Sequence, residues 1–173
     1  VVVGGGFTGL SAALALAKKG ADVVLLEAGK VANAASGRNG GMCNNGFAQD
    51  YAGLSAVLGR EKANLLYRAF DAGVDKVEAI VAEEAIYCSF SRVGKLKLAA
   101  KPEHYDKIAR SQALLAQEVD RDTEMVPRSE MYAEIGSDRY FGGMLFKKSA
   151  SLHMGDFGQG LARAAARRGA KIY

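Results

Sequence analysis

The chain opens VVVGGGFTGLSAALALAKKGADVVLLE, Val1 to Glu27. Val1–Val3 is a β-branched run that stops at three glycines and reads as the end of a buried strand. Leu10–Lys19 is rich in Ala and Leu, both good helix formers. Gly20 stands where a helix C-terminal glycine belongs, and Lys18 and Lys19 in the last turn favour the helix dipole. Asp22–Glu27 has a continuously apolar centre, Val23–Leu26, as expected for a parallel strand covered on both faces. The stretch therefore predicts strand, tight glycine turn, helix, strand: a βαβ unit with a right-handed crossover. Gly4-Gly5-Gly6-Phe7-Thr8-Gly9 fits G-x-G-x-x-G in the context that gives the pattern meaning. Gly4 permits the turn, Gly6 lets backbone N–H groups approach a pyrophosphate, and Gly9 lets helix and strand pack closely. An anion then sits at the positive end of the helix dipole. The acidic residue the motif calls for is Glu27, eighteen positions beyond Gly9, where a carboxylate can accept hydrogen bonds from two ribose hydroxyls. It would repel a 2′-phosphate, which disfavours NADP.

Residues 28 to about 53 lose periodicity and fill with Gly, Asn, Ala and Ser. So long a loop is expected to be functional. Its segment Ser36-Gly37-Arg38-Asn39-Gly40-Gly41 offers polar side chains and bare backbone directly after the ribose-binding strand. An NAD enzyme would instead lead into another short crossover, so the loop suits a larger cofactor. Apolar residues return at helical spacing from Leu54 to Glu84, predicting one long helix or a broken pair. Tyr87–Phe90 and Val93–Ala99 read as a hairpin. Pro102 opens a helix through about Val119. A short helix is bracketed by Pro127 and Gly136, and a strand is expected within Asp138–Lys147. Met154–Arg168 reads as a helix with Phe157, Leu161, Ala164 and Ala165 on one side, followed by a strand from Ala170. This end repeats the pattern of the beginning (helix, basic pair, Gly-Ala, strand), so it is expected to return to the same sheet.

Composition bounds the rest. The chain has 173 residues, 49% of them hydrophobic, and a net charge of +4. Disorder is therefore not expected, and nucleic acid is not an expected partner. No apolar run approaches the roughly 18–20 residues that span a bilayer. Two isolated cysteines, Cys43 and Cys88, with no secretory leader suggest a reducing, cytoplasmic setting. The valine start and the strand begun at Ala170 suggest the N-terminal portion of a larger protein.

The combination of VVVGGGFTGLSAALALAKKGADVVLLEAG with ASGRNGG, in that order, resembles the D-amino-acid-oxidase-like superfamily of FAD-dependent oxidoreductases. The resemblance is greatest to its gamma-glutamylputrescine oxidoreductase branch. IYCSFSRVGKLKLA, Tyr140-Phe141-Gly142-Gly143 and LHMGDFGQGLARAAARRGAKIY carry further likeness. The resemblance implies an α/β fold: a Rossmann-like FAD-binding domain with part of an inserted α+β substrate domain. Residues 1–50 and 151–173 would belong to the former and 51–150 to the latter. It implies FAD as cofactor, held by Gly4, Gly6, Phe7, Thr8, Gly9 and Glu27, with Ser36, Arg38, Asn39, Gly40 and Gly41 reaching toward the pyrophosphate and flavin. The implied reaction is oxidation of a small amine or amino acid by hydride transfer to flavin, with oxygen or another electron acceptor completing the cycle. Met154 stands where relatives often carry Pro, and Met42-Cys43 where they carry polar residues, which leaves the substrate open. No catalytic residue is assigned within these positions. The alternatives are an NAD-dependent dehydrogenase on the same fold and a non-catalytic FAD-binding assembly subunit.

Among the remaining reactive side chains, Cys88 is expected in a core, and Cys43 is expected to be inert. His104 is expected in solvent, and His153 is expected to cap a helix or pack in a loop. The His and Cys spacings match no zinc site. Arg163, Arg167 and Arg168 should form a charged helix face.

Overall fold

The computed structural model describes all 173 residues, Val1–Tyr173. In chain order the elements are β1 (Val2–Val3), α1 (Phe7–Lys18), β2 (Val24–Leu26), β3 (Met42–Cys43), α2 (Tyr51–Leu58), α3 (Arg60–Glu83) and β4 (Lys95–Leu98). There follow α4 (Pro102–Glu118), β5 (Thr123–Pro127), α5 (Met131–Ile135), β6 (Gly142–Phe146), β7 (Ala150–Ser151), α6 (Met154–Arg167) and β8 (Lys171–Ile172). The chain divides into two units: Val1–Met42 with Lys76–Ser91 and Ser151–Tyr173, and Cys43–Asp75 with Arg92–Ala150. No helix is long and apolar enough to cross a membrane.

The first unit holds a parallel sheet in the order β1-β2-β8. The return to this sheet anticipated from the echo of the two chain ends is therefore present, with β8 beside β2. Val2 pairs with Leu25 and Val3 with Leu26. Because successive strand residues face opposite ways, Leu25 is fully buried while Val3 and Leu26 are exposed. Helices α1 and α6 pack against one another. Leu10, Ala13, Leu14 and Ala17 of α1 and Phe157, Leu161, Ala164 and Ala165 of α6 are buried. The four α6 residues are those its periodicity selects. Phe7 and Phe157 meet edge to face at 5.3 Å between ring centroids, a favoured geometry.

The same unit buries one carboxylate. Glu84 is only 4% exposed. It accepts from Lys18 at 2.9 Å and Arg168 at 3.1 Å, with Arg167 at 3.7 Å. Its main-chain carbonyl also accepts from Arg167 at 2.8 Å. Lys18 lies in the last turn of α1 and Arg167 in that of α6, with Arg168 just beyond. Lys18, Arg167 and Arg168 thus converge on one acid. Burial works to raise the Glu84 pKa, but the hydrogen bonds and charges of Lys18 and Arg168 outweigh it and hold the carboxyl below its usual value.

The second unit holds an antiparallel sheet in the order β4-β6-β5. Lys95 pairs with Phe146 and Leu98 with Gly143, while Thr123 pairs with Phe146 and Pro127 with Gly142. Helix α4 lies against β5 and β6. The core gathers Tyr51, Ala63, Tyr67, Ala99, Ile108, Leu115, Met144 and Phe146. Inside it is a polar cluster. The Asn45 side chain donates to Tyr67 Oη, Asp71 and Asp120, and accepts from Ser149 Oγ at 2.7 Å. Tyr67 donates to Asp120 at 2.7 Å, and Lys148 pairs with Asp71, Asp120 and Asp122. Burial, then the Asp120 hydrogen bond, push the Tyr67 hydroxyl upward. Each buried polar group here has partners, which is what makes such a cluster tolerable in a core.

Local structure refines these expectations. Of the two forms open to the helical stretch after residue 50, the broken pair is found, with Gly59 at φ +80 between α2 and α3. It also begins earlier than Leu54, because the Asp50 carboxylate accepts from Gly53 N–H at 2.7 Å and caps α2. The Tyr87–Phe90 hairpin strand is absent. Ser89 takes φ +52 and only Ser91 forms an isolated bridge, to Ser151, while β4 takes β6 as its partner. β5 was not foreseen. Its Thr-Glu-Met-Val-Pro sequence carries a charge and a proline, which an edge strand tolerates.

Glu84→Gln should lower stability by about 2 kcal/mol. That is less than the roughly 3–5 kcal/mol for breaking a fully buried pair, because the arginine partners are half in solvent. Glu84 titrates lower folded than unfolded, so its contribution is full above the ordinary carboxylate pKa of 4.5 and is lost as pH falls through the lower folded value. Thermal unfolding of the variant should therefore converge with that of the parent protein in acid. A constant difference from pH 7 to pH 3 would contradict this.

Candidate functional site: a glycine turn and its facing loop

The turn between β1 and α1 is built by absence of side chains. Gly4 adopts φ +99. A Cβ on Gly9 would fall on the carbonyl oxygen of Gly4 and within 3.4 Å of Val2. Helix α1 can therefore start directly above β1 only with glycine at position 9. This is the close-packing role expected from the spacing. Gly6 is the N-cap of α1 and supplies no side-chain cap, and the first turn carries no acidic residue. The donors at the start of a helix need acceptors from elsewhere. One is met from the loop, as Phe7 N–H donates to Ser36 Oγ at 3.1 Å. The Phe7 ring itself is committed to Phe157, so what Phe7 presents to the turn is backbone. Thr8 is exposed.

Glu27 stands at the end of β2 and reaches back to the turn. Its Oε2 accepts from Gly5 N–H at 2.6 Å and its Oε1 from Gly29 N–H at 3.0 Å. The carboxylate is thus oriented by two backbone donors, and each oxygen keeps a lone pair for another. Gly5 and Gly29 were not singled out from the motif. G-x-G-x-x-G treats position 5 as variable, yet a Cβ there would press on Glu27 and Val31 at 3.1 Å.

The loop Ser36–Gly41 is folded on itself. Asn39 Nδ2 donates to the carbonyls of Ala35 and Ser36, at 3.2 and 3.0 Å, and its Oδ1 accepts from Gly41 N–H at 3.0 Å. Gly41, at φ +71, lies so close to the Leu152 carbonyl that no Cβ fits between them, and its own carbonyl accepts from Leu152 N–H at 3.0 Å. Leu152 is 111 residues away in sequence, and no local pattern announces it. Gly40 is exposed. Arg38 is exposed and lines a shallow cavity of about 340 Å³ with Lys30, Val31, His153, Asp156 and Gln159.

The structure thus ties Ser36 to Phe7 N–H at the glycine turn through one hydrogen bond, and Glu27 to Gly5 of the same turn through another. Arg38 and Asn39 are exposed. His153 caps α6, its Nδ1 accepting from Asp156 N–H at 3.1 Å. Cys88 is buried and Cys43 half-buried, and burial pushes both thiols up, away from the reactive thiolate. His104 faces solvent.

Comparison with known proteins gives one picture. The family model described as "DAO: FAD dependent oxidoreductase" matches residues 1–173. The chain is 31% identical over 172 residues to gamma-glutamylputrescine oxidoreductase of Escherichia coli (strain K12), covering 99% of this chain and 40% of that protein. It is 31% identical over 173 residues to the probable oxidoreductase OrdL of Haemophilus influenzae, with the same coverage. The chain therefore spans 40% of the length of these curated relatives. Among solved structures, glycine oxidase from Geobacillus kaustophilus superposes with a TM-score of 0.75 at 23% identity, over 99% of this chain and 45% of that one. L-amino acid deaminase from Proteus myxofaciens superposes at 0.78 and 20%, over 99% and 36%.

Gly9→Ala should disrupt the turn rather than tune it, because the added methyl meets main chain that cannot step aside. A loss of at least about 3 kcal/mol, or failure to accumulate as folded protein, is expected. A melting temperature within about 2 °C of the parent protein would show that α1 can lift away at little cost.

Proposed function

The chain belongs to the FAD dependent oxidoreductase (DAO) family, and we propose that it oxidises a small amine or amino acid, with FAD held along the glycine turn and the Ser36–Gly41 loop. The observation that carries this reading is the Glu27 carboxylate, hydrogen-bonded to Gly5 N–H at the turn itself. It puts a ribose acceptor beside the start of α1, where a pyrophosphate is favoured. The residues fit the cofactor: around the Cβ position of Gly4 there is no heavy atom within 4 Å, and no acidic side chain occupies the first turn of α1.

When bound, FAD supplies the two-electron acceptor for the carbon bearing nitrogen. The chain's own residues bind and orient it. Gly4, Gly6 and Gly9 let backbone approach the pyrophosphate. Glu27, fixed by Gly5 and Gly29, accepts from ribose hydroxyls and repels a 2′-phosphate. Ser36 ties the facing loop to the first N–H of α1. Asn39 holds that loop in shape through Gly41, leaving the backbone of Gly40 and the guanidinium of Arg38 to extend along the cofactor toward the flavin. Residues 1–50 and 151–173 are assigned to cofactor binding and 51–150 to the substrate side. The name of the Escherichia coli relative, gamma-glutamylputrescine oxidoreductase, supports an amine, and those of the solved structures support an amino acid; in either case flavin would accept a hydride and oxygen or another acceptor would take the electrons on. Two unlinked thiols suit a reducing compartment such as the cytoplasm.

The full-length protein should purify with, or take up, FAD and show the oxidised-flavin absorption bands. Anaerobic addition of a small primary or γ-glutamylated amine should bleach them. Flavin that binds but stays oxidised with every amine and amino acid tried would favour the non-catalytic assembly subunit, and a protein that binds no FAD would end the proposal altogether. Glu27→Gln should weaken FAD binding by about tenfold, the worth of one hydrogen bond to a charged group. Titration of the flavin-free protein with FAD measures this.

A further inference from the structure

The dipeptide Asn-Gly occurs twice, at Asn39-Gly40 and Asn45-Gly46, and the fold puts the two in opposite surroundings. This pair is chemically fragile because glycine leaves its peptide nitrogen unshielded and its backbone free to move. That nitrogen can attack the side-chain carboxamide carbon of the asparagine. A bond forms between the glycine nitrogen and Cγ, the Cγ–Nδ2 bond breaks, and ammonia departs carrying the proton from the peptide nitrogen. Water then opens the five-membered imide at either carbonyl to leave aspartate or isoaspartate. No oxidant, reductant or enzyme takes part.

Asn45 is fully buried. Its carboxamide is held by Tyr67, Asp71, Asp120 and Ser149, its N–H donates to Ser149 Oγ and its carbonyl accepts from Lys95. Gly46 is wedged against the Tyr67 ring, which lies 3.1 Å from where its Cβ would be. The rotation that brings Gly46 nitrogen onto Cγ would break most of these bonds at once. Asn39 and Gly40 are both exposed, so the hydrogen bonds of Asn39 Nδ2 to the carbonyls of Ala35 and Ser36 can be exchanged for water as the side chain turns. Gly41 N–H donates to Asn39 Oδ1 at 3.0 Å, which draws electron density from Cγ and is aimed at the oxygen that turns negative when the carbon is attacked.

We propose that Asn39-Gly40 is a site of spontaneous deamidation in the folded protein, and that the polar core around Asn45 protects the second Asn-Gly pair. The product has consequences for the loop. A carboxylate at position 39 can no longer donate to the carbonyls of Ala35 and Ser36, and it brings a negative charge to the segment beside Ser36 and Arg38. The inference rests on exposure and hydrogen bonding alone and stands whether or not the flavin reading does.

The test is peptide mapping by mass spectrometry of the full-length protein, aged at pH 8, both as purified and after any flavin is removed. A urea-unfolded sample provides the reference in which both sites are open. Conversion at Asn39, with Asn45 at least about tenfold slower in the folded protein, is the expected result. Equal rates at the two sites, a faster Asn45, or an unchanged Asn39 over a time in which the unfolded chain converts would each overturn it. Gly40→Ala supplies a second arm. A Cβ there meets only Met42 Cε at 3.8 Å, so the variant can fold, and it should slow conversion at Asn39 by about tenfold. An unchanged rate in this variant would also overturn the proposal.

Discussion

Between Gly9 and the carbonyl of Gly4 there is no room for a carbon atom, and the architecture of the first unit follows from that contact. It lets α1 begin immediately above β1, so the donors at the helix start and the end of the strand share one small region. Glu27 can then reach the turn from the neighbouring strand, and Ser36 can reach Phe7 N–H from the loop beyond. A side chain at position 9 would separate helix from strand and disperse these groups. The same economy recurs where Gly41 meets the Leu152 carbonyl. In both places backbone approaches backbone, and in both the candidate cofactor surface consists largely of main chain.

Charge is handled differently in the two units. In the first, a single buried carboxylate, Glu84, collects cations from the ends of α1 and α6. Helix C-termini favour nearby positive charge, and Glu84 gives those cations a fixed partner. In the second, Asp120 lies beneath Tyr67, Asn45 and Lys148. Burial opposes a charged Lys148, but the hydrogen bonds and charges of Asp71 and Asp120 hold its pKa above the ordinary lysine value. A saturated polar core of this kind penalises any rearrangement that leaves one member unpaired. That penalty is also why the same dipeptide can be stable at Asn45 and labile at Asn39.

The parts of the molecule that local chemistry governs were readable before any coordinates. Strand, turn, helix and strand over Val1–Glu27, the proline-led α4, the apolar face of α6 and the return of β8 to the first sheet each have a short-range signal in spacing, propensity or capping. The roles of Gly4 in the turn and Gly9 in close packing were recognisable because that geometry is tied to fixed offsets along the chain. The Tyr87–Phe90 strand failed for the converse reason. β-propensity states that a segment can pair but not with what, and β4 took β6, nearly fifty residues later.

What the amino-acid order determined by itself, then, is the tight glycine turn with Glu27 at the end of the next strand, and the family to which the chain belongs. The turn depends on residues within one crossover unit, and the family likeness on motifs spread along the chain. Only the tertiary structure decided that Glu27 is fastened by Gly5 and Gly29, that Ser36 caps the first N–H of α1, that Gly41 lies against Leu152, and that Asn45 is sealed while Asn39 is not. These are contacts of backbone with carboxylate, hydroxyl and carboxamide groups, or with backbone, which many residues could make. Which of them meet is settled by packing, and packing is a property of the whole fold.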